Sequence, residues 1–363
     1  MSVDVWTVNV HGGARRDEAG GPGLERSVPR RLVHKTSEDE VLLTDAVRVG
    51  HGHFHLAVRG PAGHAPFRPG PAGPAVDPTL FVEMLRQTAI YLSHRFYGVP
   101  LEHPFIFCDL DFDLASGGLG PAEPEEAVFL EVECRETGRR GPRGTAMSLD
   151  ARLLADGGVR AAGSVSWQAV HATRYAAVRR RGLGGAPVPR AGEVPSAPLP
   201  AGAVVEAPER VGREREPDVV VARLGGGEDE PGGVWALRVD QRHPSYFDHP
   251  SDHVPGMLLL EAFRQAARAA GAPQGRVLSG GSVTFAAFCE LNVPVRIEVR
   301  PSADAAGGPG LVLQAVQGDT VVATGQARWA EWPTARMAPG LSAALGADGP
   351  GKTFLADRAE AAA

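Results

Sequence analysis

The residues best suited to chemistry form a short pattern, Glu-x-x-Arg-Gln, that the chain contains twice. The first copy is Glu83, Arg86 and Gln87, and the second, 178 residues later (261 − 83), is Glu261, Arg264 and Gln265. Both copies lie in apolar runs, where a carboxylate and a guanidinium are unfavourable unless they pair or act on a substrate. This duplicated arrangement predicts two similar modules with their chemistry centred on these residues.

The start of the second helix suggests how the pattern could act. Pro255-Gly256 precedes it directly, and unpaired amides at a helix start attract an oxyanion or a phosphate. Glu261, one turn further on, is a candidate general base, and its apolar neighbours are expected to raise its pKa. Arg264 is a candidate for a bidentate phosphate contact, and Gln265 adds neutral hydrogen bonds.

The first copy supports the same roles for Glu83, Arg86 and Gln87, with Asp77 as the helix N-cap. We expect the second copy to dominate, because Gly256 exposes more backbone to a substrate than Asp77-Pro78 does. An ion pair between positions i and i+3 that only fixes helix packing explains either copy equally well, and duplication does not decide between the two interpretations.

Two helices are needed to present these residues, and the flanking sequence predicts both. Apolar residues recur at helical spacing from Thr79 to about Tyr97, and again over 256–270. Short strand-like segments follow each helix, separated by Gly, Pro or acidic turns. A long helix followed by several strands, repeated once, predicts an α+β fold of tandem (double) hotdog type, with an antiparallel sheet wrapped around each helix.

Composition sets the expected boundaries. They are a loose leader over 1–30, a first module over 31–181, a Pro- and Gly-rich linker over 182–216, a second module over 217–332 and a disordered tail over 333–363. Pairing of the two modules would bring each helix start close to the seam between them, where a pocket can form.

Charge and cysteine content narrow the class of protein. The net charge of −6 leaves no basic footprint for nucleic acid, and no run approaches the roughly 20 apolar residues of a membrane span. We expect neither partner, and without a secretory signal we expect a cytoplasmic protein. The three cysteines form no CxxC pair, and prolines in the His- and Asp-rich loop 243–253 preclude helical ligand spacing. We therefore expect no metal and no other cofactor.

The loop before the second helix, from Val239 to Met257, is the most distinctive string in the chain. With the residues that follow, it closely resembles the AfsA-type A-factor biosynthesis hotdog family, the γ-butyrolactone synthases of bacterial autoregulator pathways. The similarity covers roughly residues 32–115 and 234–330. In the first half it includes Val33-His34-Lys35-Thr36, Glu40 to Asp45, Gly63-His64, Asp77-Pro78, Arg86-Gln87, and His94 followed by Gly98-Val99-Pro100.

The resemblance implies an acyltransferase. Such enzymes join a 3-oxoacyl chain, carried as a thioester on acyl carrier protein, to the hydroxyl of dihydroxyacetone phosphate, the first committed step towards a butenolide or γ-butyrolactone signal. It implies functional roles for Glu83, Glu261 and Arg264, and by symmetry for Arg86. The substrate-binding candidates are then Arg86, Gln87, Gln265, Gly256, His249, Asp248 and Lys35.

Other functions of the same fold remain open. A hydroxyacyl-ACP dehydratase would carry a histidine fourteen residues before its helix glutamate. In this chain those positions are Phe247 before Glu261 and Pro69 before Glu83, although His249 lies two residues after Phe247. A thioesterase would use Glu261 to activate water. A non-catalytic module that binds an acyl ligand or acyl carrier protein would keep the pocket without turnover.

Overall fold

The computed structural model describes most of both predicted modules. The described residues are 26–58, 77–115, 119, 128–138, 144–155, 158–185, 188, 192–225, 232–271, 276–303 and 309–331. Most of the expected leader, the stretch 59–76 with the Gly63-His64 of the family resemblance, and the expected tail 333–363 lie outside these residues, so the predictions made for them stay untested.

The first module is a six-stranded antiparallel sheet with one long helix. Its elements are β1 Leu43–Gly50, β2 His53–Val58, α1 Thr79–Phe96, β3 Phe105–Leu114, β4 Val128–Glu136, β5 Thr145–Ala155 and β6 Gly158–Ala169. The strand order is β1-β2-β4-β5-β6-β3. Helix α2, Ala172–Gly182, leaves this sheet towards the second module.

The second module repeats the plan. Its elements are β7 Val204–Val205, α3 Pro208–Val211, β8 Val221–Arg223, β9 Gly233–Leu237, α4 Gly256–Ala269, β10 Arg276–Phe285, β11 Val295–Ala303, β12 Pro309–Gln317 and β13 Thr320–Glu331. The order here is β10-β13-β12-β11-β9-β8-β7. Strands β3 and β10 pair antiparallel, with Gly281 opposite Phe112, and this pairing joins the modules into one 13-stranded sheet. The predicted tandem hotdog architecture is confirmed.

Both central helices are held close to their sheets. Helix α1 buries every residue from Thr79 to His94 except Arg86, which explains why its sequence is apolar on nearly all sides. On β6, a Cβ at Gly163 would lie 3.0 Å from Phe81 Cε1, and on β13 a Cβ at Gly325 would lie 2.9 Å from Phe263 Cδ2. The missing side chains therefore let each helix approach its sheet.

The stretch expected to be a linker contributes to the second module. From Val204 it supplies β7 and α3, and β7 extends the sheet through its pairing with β8. It also supplies Arg213, whose side chain is only 4% exposed. An extended linker is thus not what the structure shows beyond residue 204. Among the described helices, none has the length and apolar character needed to cross a membrane.

Candidate active site

The two glutamines of the repeated pattern attach each helix to the strand segment before it. Gln87 donates to the carbonyl oxygen of Glu40 at 2.8 Å and accepts from the amide of Leu42 at 2.9 Å. Gln265 makes the equivalent bonds to residues 218 and 220, both at 2.8 Å. Both side chains are fully buried, and neither lines the cavity described below. The structure therefore shows these two predicted substrate-binding residues bonded to backbone groups of the protein.

Glu83 is the centre of the first-module cluster. Its two carboxylate oxygens accept a fork from Arg86 at 2.7 and 2.8 Å, and Gln87 Nε2 donates at 2.9 Å. Lys35 Nζ lies 3.2 Å from the same carboxylate. Burial raises the pKa of Glu83, but the charges of Arg86 and Lys35 outweigh it and hold the pKa well below its ordinary value. The carboxylate is ionised at neutral pH.

Glu261 is the centre of a more enclosed second-module cluster. Arg264 forms the same fork, at 2.9 and 2.8 Å, and Arg213, 178 positions after Lys35, approaches at 2.6 Å. Asp77 of the first module accepts from Arg213 at 3.0 Å and lies 3.6 Å from Arg264. Burial raises the pKa of Glu261, but the charges of Arg213 and Arg264 outweigh burial and bring the pKa below its ordinary value. The raised pKa expected from the sequence is therefore wrong. Two carboxylates and two guanidiniums compensate one another here.

The starts of the two helices differ in how they are capped. At α1, Pro78 occupies the cap position, so the predicted N-cap Asp77 lies one residue before it, although its Oδ1 accepts from the amide of Thr79 at 2.9 Å. At α4, Pro255 occupies the cap position and makes no side-chain cap bond. The first amides of α4 therefore keep their capacity to bind an oxyanion, whereas an internal carboxylate already occupies the start of α1.

A cavity of about 1100 Å³ lies at the seam between the modules. Its lining combines the two halves of the chain: His34, Lys35, Glu40, Glu83 and Arg86 come from the first module, and Asp248, His249, Gly256 and Met257 come from the second. Of the described residues, Glu261, Arg264 and Arg213 do not line this cavity. The open end of α4 thus shares a cavity with the glutamate of α1.

The distinctive loop before α4 crosses the seam to complete this cavity. Asp248 accepts from the amides of Thr36 at 2.7 Å and Ser37 at 3.2 Å, so its carboxylate fastens the loop to the first module. The side chain of His249 is 51% exposed and lines the cavity. Among the two loop residues predicted to bind substrate, Asp248 is engaged by the protein and His249 faces the space where a substrate would lie.

One cavity residue had no role in the sequence interpretation beyond its place in a motif. His34 adopts a left-handed backbone with φ of 53°, and it is the one non-glycine residue with positive φ in the described part of the chain. Its Nε2 lies 2.9 Å from Nε2 of His94, whose Nδ1 lies 2.8 Å from the carbonyl oxygen of Val99. The repeat offset could have revealed the position, because residue 212, 178 later, is a glycine with φ of 70°.

The chain is similar in sequence to proteins of one family. The model for the A-factor biosynthesis hotdog domain matches residues 17–171 and 200–332. A protein of Streptomyces virginiae named 2-oxo-3-(phosphooxy)propyl 3-oxoalkanoate synthase is 34% identical over 304 residues, which cover 82% of this chain and 96% of the relative. A protein of the same name from Streptomyces griseus is 35% identical, covering 81% and 92%.

Structural similarity is more distant. The 12:0-ACP thioesterase from Umbellularia californica has a TM-score of 0.45 and 10% identity, with coverage of 78% of this chain and 100% of that one. The match to the Streptomyces virginiae relative covers nearly the whole length of that protein, and the family model matches both modules of this chain. This chain belongs to the A-factor biosynthesis hotdog family.

Proposed function

We propose that the seam cavity is the active site of a synthase that transfers a 3-oxoacyl group from a thioester to the hydroxyl of dihydroxyacetone phosphate. One observation carries this assignment: the uncapped amide end of α4 shares the cavity with Glu83, Arg86 and Lys35. The names of the Streptomyces relatives support the pair of substrates.

The apolar part of the cavity suits an acyl chain. Aliphatic and aromatic side chains from both modules line it, namely Val82, Ile90, Phe107, Leu110, Leu259, Leu260, Val283 and Phe285. Pockets of this kind hold the apolar part of a ligand, while a few polar groups fix its orientation. The acyl chain therefore occupies this wall and presents its thioester to the polar lining.

Arg86 and Lys35 provide the phosphate contact in this proposal. The Arg86 side chain is 18% exposed and lines the cavity, whereas that of Arg264 is 9% exposed and does not. A guanidinium fork binds phosphate in a bidentate manner, and the ammonium group adds a point charge. We therefore assign to Arg86 the phosphate role that the sequence suggested for Arg264.

The amides at the start of α4 provide the oxyanion contact. When the hydroxyl oxygen attacks the thioester carbonyl, a C–O bond forms and negative charge develops on the carbonyl oxygen. Collapse of this intermediate breaks the C–S bond, and the thiol leaves with the proton lost by the hydroxyl. Helix N-terminal amides stabilise such a developing charge, and Gly256 carries no side chain to block the approach.

Glu83 has a different role from the general base suggested by the sequence. Its oxygens already accept from Arg86 and Gln87, so taking up a substrate proton would break these ion pairs and hydrogen bonds. It instead holds Arg86 and Lys35 in place as an ionised carboxylate and offsets positive charge that develops nearby during the reaction. We assign the reaction to the Glu83 cluster and a structural role to the Glu261 cluster.

Helix α2 supports acyl carrier protein as the donor of the acyl group. In a chain of net charge −6, this helix carries four arginines and no acidic residue. Arg179 is buried and forms a fork with Glu290 at 2.5 and 2.9 Å, which fixes the helix to the second module. Arg174, Arg180 and Arg181 are exposed, and the first and last of these also line the cavity. A basic rim of this kind complements an acidic carrier protein.

Product analysis tests the reaction. Mass spectrometry after incubation with dihydroxyacetone phosphate and a 3-oxoacyl thioester should reveal the phosphorylated ester, or the butenolide formed from it. Release of free 3-oxo acid at the same rate with and without the acceptor would instead identify a thioesterase.

The carrier is tested by charge reversal. Arg180→Glu should lower kcat/KM for the acyl carrier protein thioester by about 3–10-fold, and leave that for a short N-acetylcysteamine thioester unchanged, because Arg180 does not line the cavity. Arg300→Glu, at a side chain that is 69% exposed on β11, is the matched control. Equal effects of Arg180→Glu and Arg300→Glu would contradict docking at α2.

A further inference from the structure

The left-handed backbone at His34 is a property of the repeated fold. The equivalent position in the second module is Gly212, with φ of 70° against 53° at His34. Glycine adopts this conformation without steric conflict, whereas a residue with a Cβ is strained there. The first module therefore places an imidazole where the fold itself favours glycine, and strain of this kind is concentrated at functional sites.

The hydrogen bonds around His34 define its tautomer. The carbonyl oxygen of Val99 can only accept, so Nδ1 of His94 carries a proton and donates at 2.8 Å. In the neutral ring, Nε2 of His94 then accepts, and Nε2 of His34 donates to it at 2.9 Å. Nδ1 of neutral His34 is left with an unshared electron pair.

Nδ1 is the ring nitrogen of His34 that remains for a molecule in the cavity. His34 lines the cavity, and in the part of the chain that the structure describes no group bonds to its Nδ1. Phe105 packs edge-on against the His34 ring, with centroids 5.2 Å apart, and contacts His94 at the same distance. The ring is thus fixed on the Nε2 side by His94 and across its face by Phe105.

Burial, together with the positively charged groups near the ring, keeps His34 neutral before substrate binds. Burial, together with His94, Arg86 and His249, lowers the pKa of His34 to about 3. A phosphate dianion bound to Arg86 and Lys35 would offset the cationic part of this effect, because it places negative charge where positive charge stood alone. Basicity at Nδ1 would then increase when the phosphorylated acceptor is bound.

We propose that His34 is a catalytic residue whose Nδ1 accepts the proton of the attacking hydroxyl, with His94 as the positioning residue that sets its tautomer. The hydroxyl oxygen forms the C–O bond as its proton passes to Nδ1. The protonated ring then returns that proton to the sulfur as the C–S bond breaks, so His34 ends each cycle neutral. This inference rests on the proposed function and adds the proton acceptor that Glu83 does not supply.

Replacement by glycine separates catalysis from structure. His34→Gly introduces the residue that the second module carries at this position, so the melting temperature should stay within a few degrees of the parent or rise, since backbone strain is relieved. The rate constant kcat should nevertheless fall by about 10²-fold, the scale of a missing general base, with little change in KM for the acceptor. His34→Asn, which also tolerates positive φ, should behave in the same way.

Two outcomes would overturn the proposal. One is a kcat for folded His34→Gly or His34→Asn close to that of the parent. The other is a ¹⁵N NMR spectrum of the resting protein that places the His34 proton on Nδ1 instead of Nε2. If the parent forms no ester from any thioester, the proposed function fails, and the NMR measurement still decides whether His34 holds a free electron pair.

Discussion

The two Glu-x-x-Arg-Gln clusters have the same local geometry and different surroundings. Each glutamate accepts an arginine fork three residues along its helix, and each is almost fully buried, at 3% exposure for Glu83 and 1% for Glu261. Glu83 lies on the wall of the seam cavity. Glu261 is surrounded by Arg213, Arg264 and Asp77, which satisfy one another.

A repeated motif therefore does not by itself identify a repeated function. Asp77 accepts from the amide of Thr79 at the start of α1 and also pairs with Arg213, so the second cluster is filled by a carboxylate of the protein itself. The first cluster shares its cavity with the start of α4, where no side chain forms a cap hydrogen bond. The same motif can therefore hold a fold together at one site and serve a substrate at the other.

Parallel glutamine substitutions give the largest expected contrast. Glu83→Gln keeps the shape of the side chain but removes the charge that holds Arg86 and Lys35, so ester formation should fall by about 10²-fold or more while the protein stays folded. Glu261→Gln should mainly lower the free energy of unfolding, by about 1–3 kcal/mol. It removes one charge from a buried ion pair but keeps the size and the hydrogen-bonding capacity of the side chain. Melting curves and single-variant rates measure both. Loss of rate only in folded Glu261→Gln would reverse our assignment and restore the second module as dominant.

Arginine-to-lysine substitutions should give a smaller contrast. Arg86→Lys keeps the charge and loses the planar fork, so the preference for dihydroxyacetone phosphate over dihydroxyacetone, compared as kcat/KM, should fall by about 10-fold. Arg264→Lys should leave this preference unchanged, because Arg264 does not line the cavity. The opposite pattern would place the phosphate at the second cluster.

A methyl group at the start of α4 should have a still smaller effect. In Gly256→Ala, the new Cβ would lie 3.1 Å from Phe285 Cζ, so the ring must move by a few tenths of an ångström, and the methyl group would crowd the first amides. We expect kcat/KM for the thioester to fall by about 3–10-fold, with melting temperature changed by only a few degrees. An unchanged rate with a correctly folded variant would show that these amides do not contact the reacting carbonyl.

The stability that the Glu261 cluster contributes should be lost in acid. The pKa values of Glu261 and Asp77 are depressed in the folded protein, so their ion pairs contribute stability above the unfolded values of 4.5 and 3.8, and this contribution is lost as pH falls. The melting temperature of the parent should therefore fall as the pH drops from about 5 towards about 2, and that of Glu261→Gln should fall less steeply. Parallel slopes for the two proteins would remove Glu261 from this account.

Much of the architecture follows from sequence pattern. The spacing of apolar residues locates both central helices and most strands, and the repeat locates both glutamates on equivalent turns. Substrate access does not follow from this pattern, since it depends on Asp77 and Arg213, which lie outside the motif and reach Glu261 from another module and from the expected linker. The repeat offset relates Arg213 to Lys35 and Gly212 to His34, yet it cannot show which member of each pair faces a cavity.

The pairing of β3 with β10 within one chain has an evolutionary consequence. In a symmetric dimer of single modules, each substitution occurs twice, so a residue that closes one site closes the other as well. Covalent tandem modules remove that constraint while they keep the shared sheet. Symmetry could then be broken position by position: Arg213 where the partner module has Lys35, Gly212 where it has His34, and Asp77 where it has Pro255. On the assignment proposed above, tandem duplication would leave one asymmetric active site supported by a second cluster that has a purely structural role.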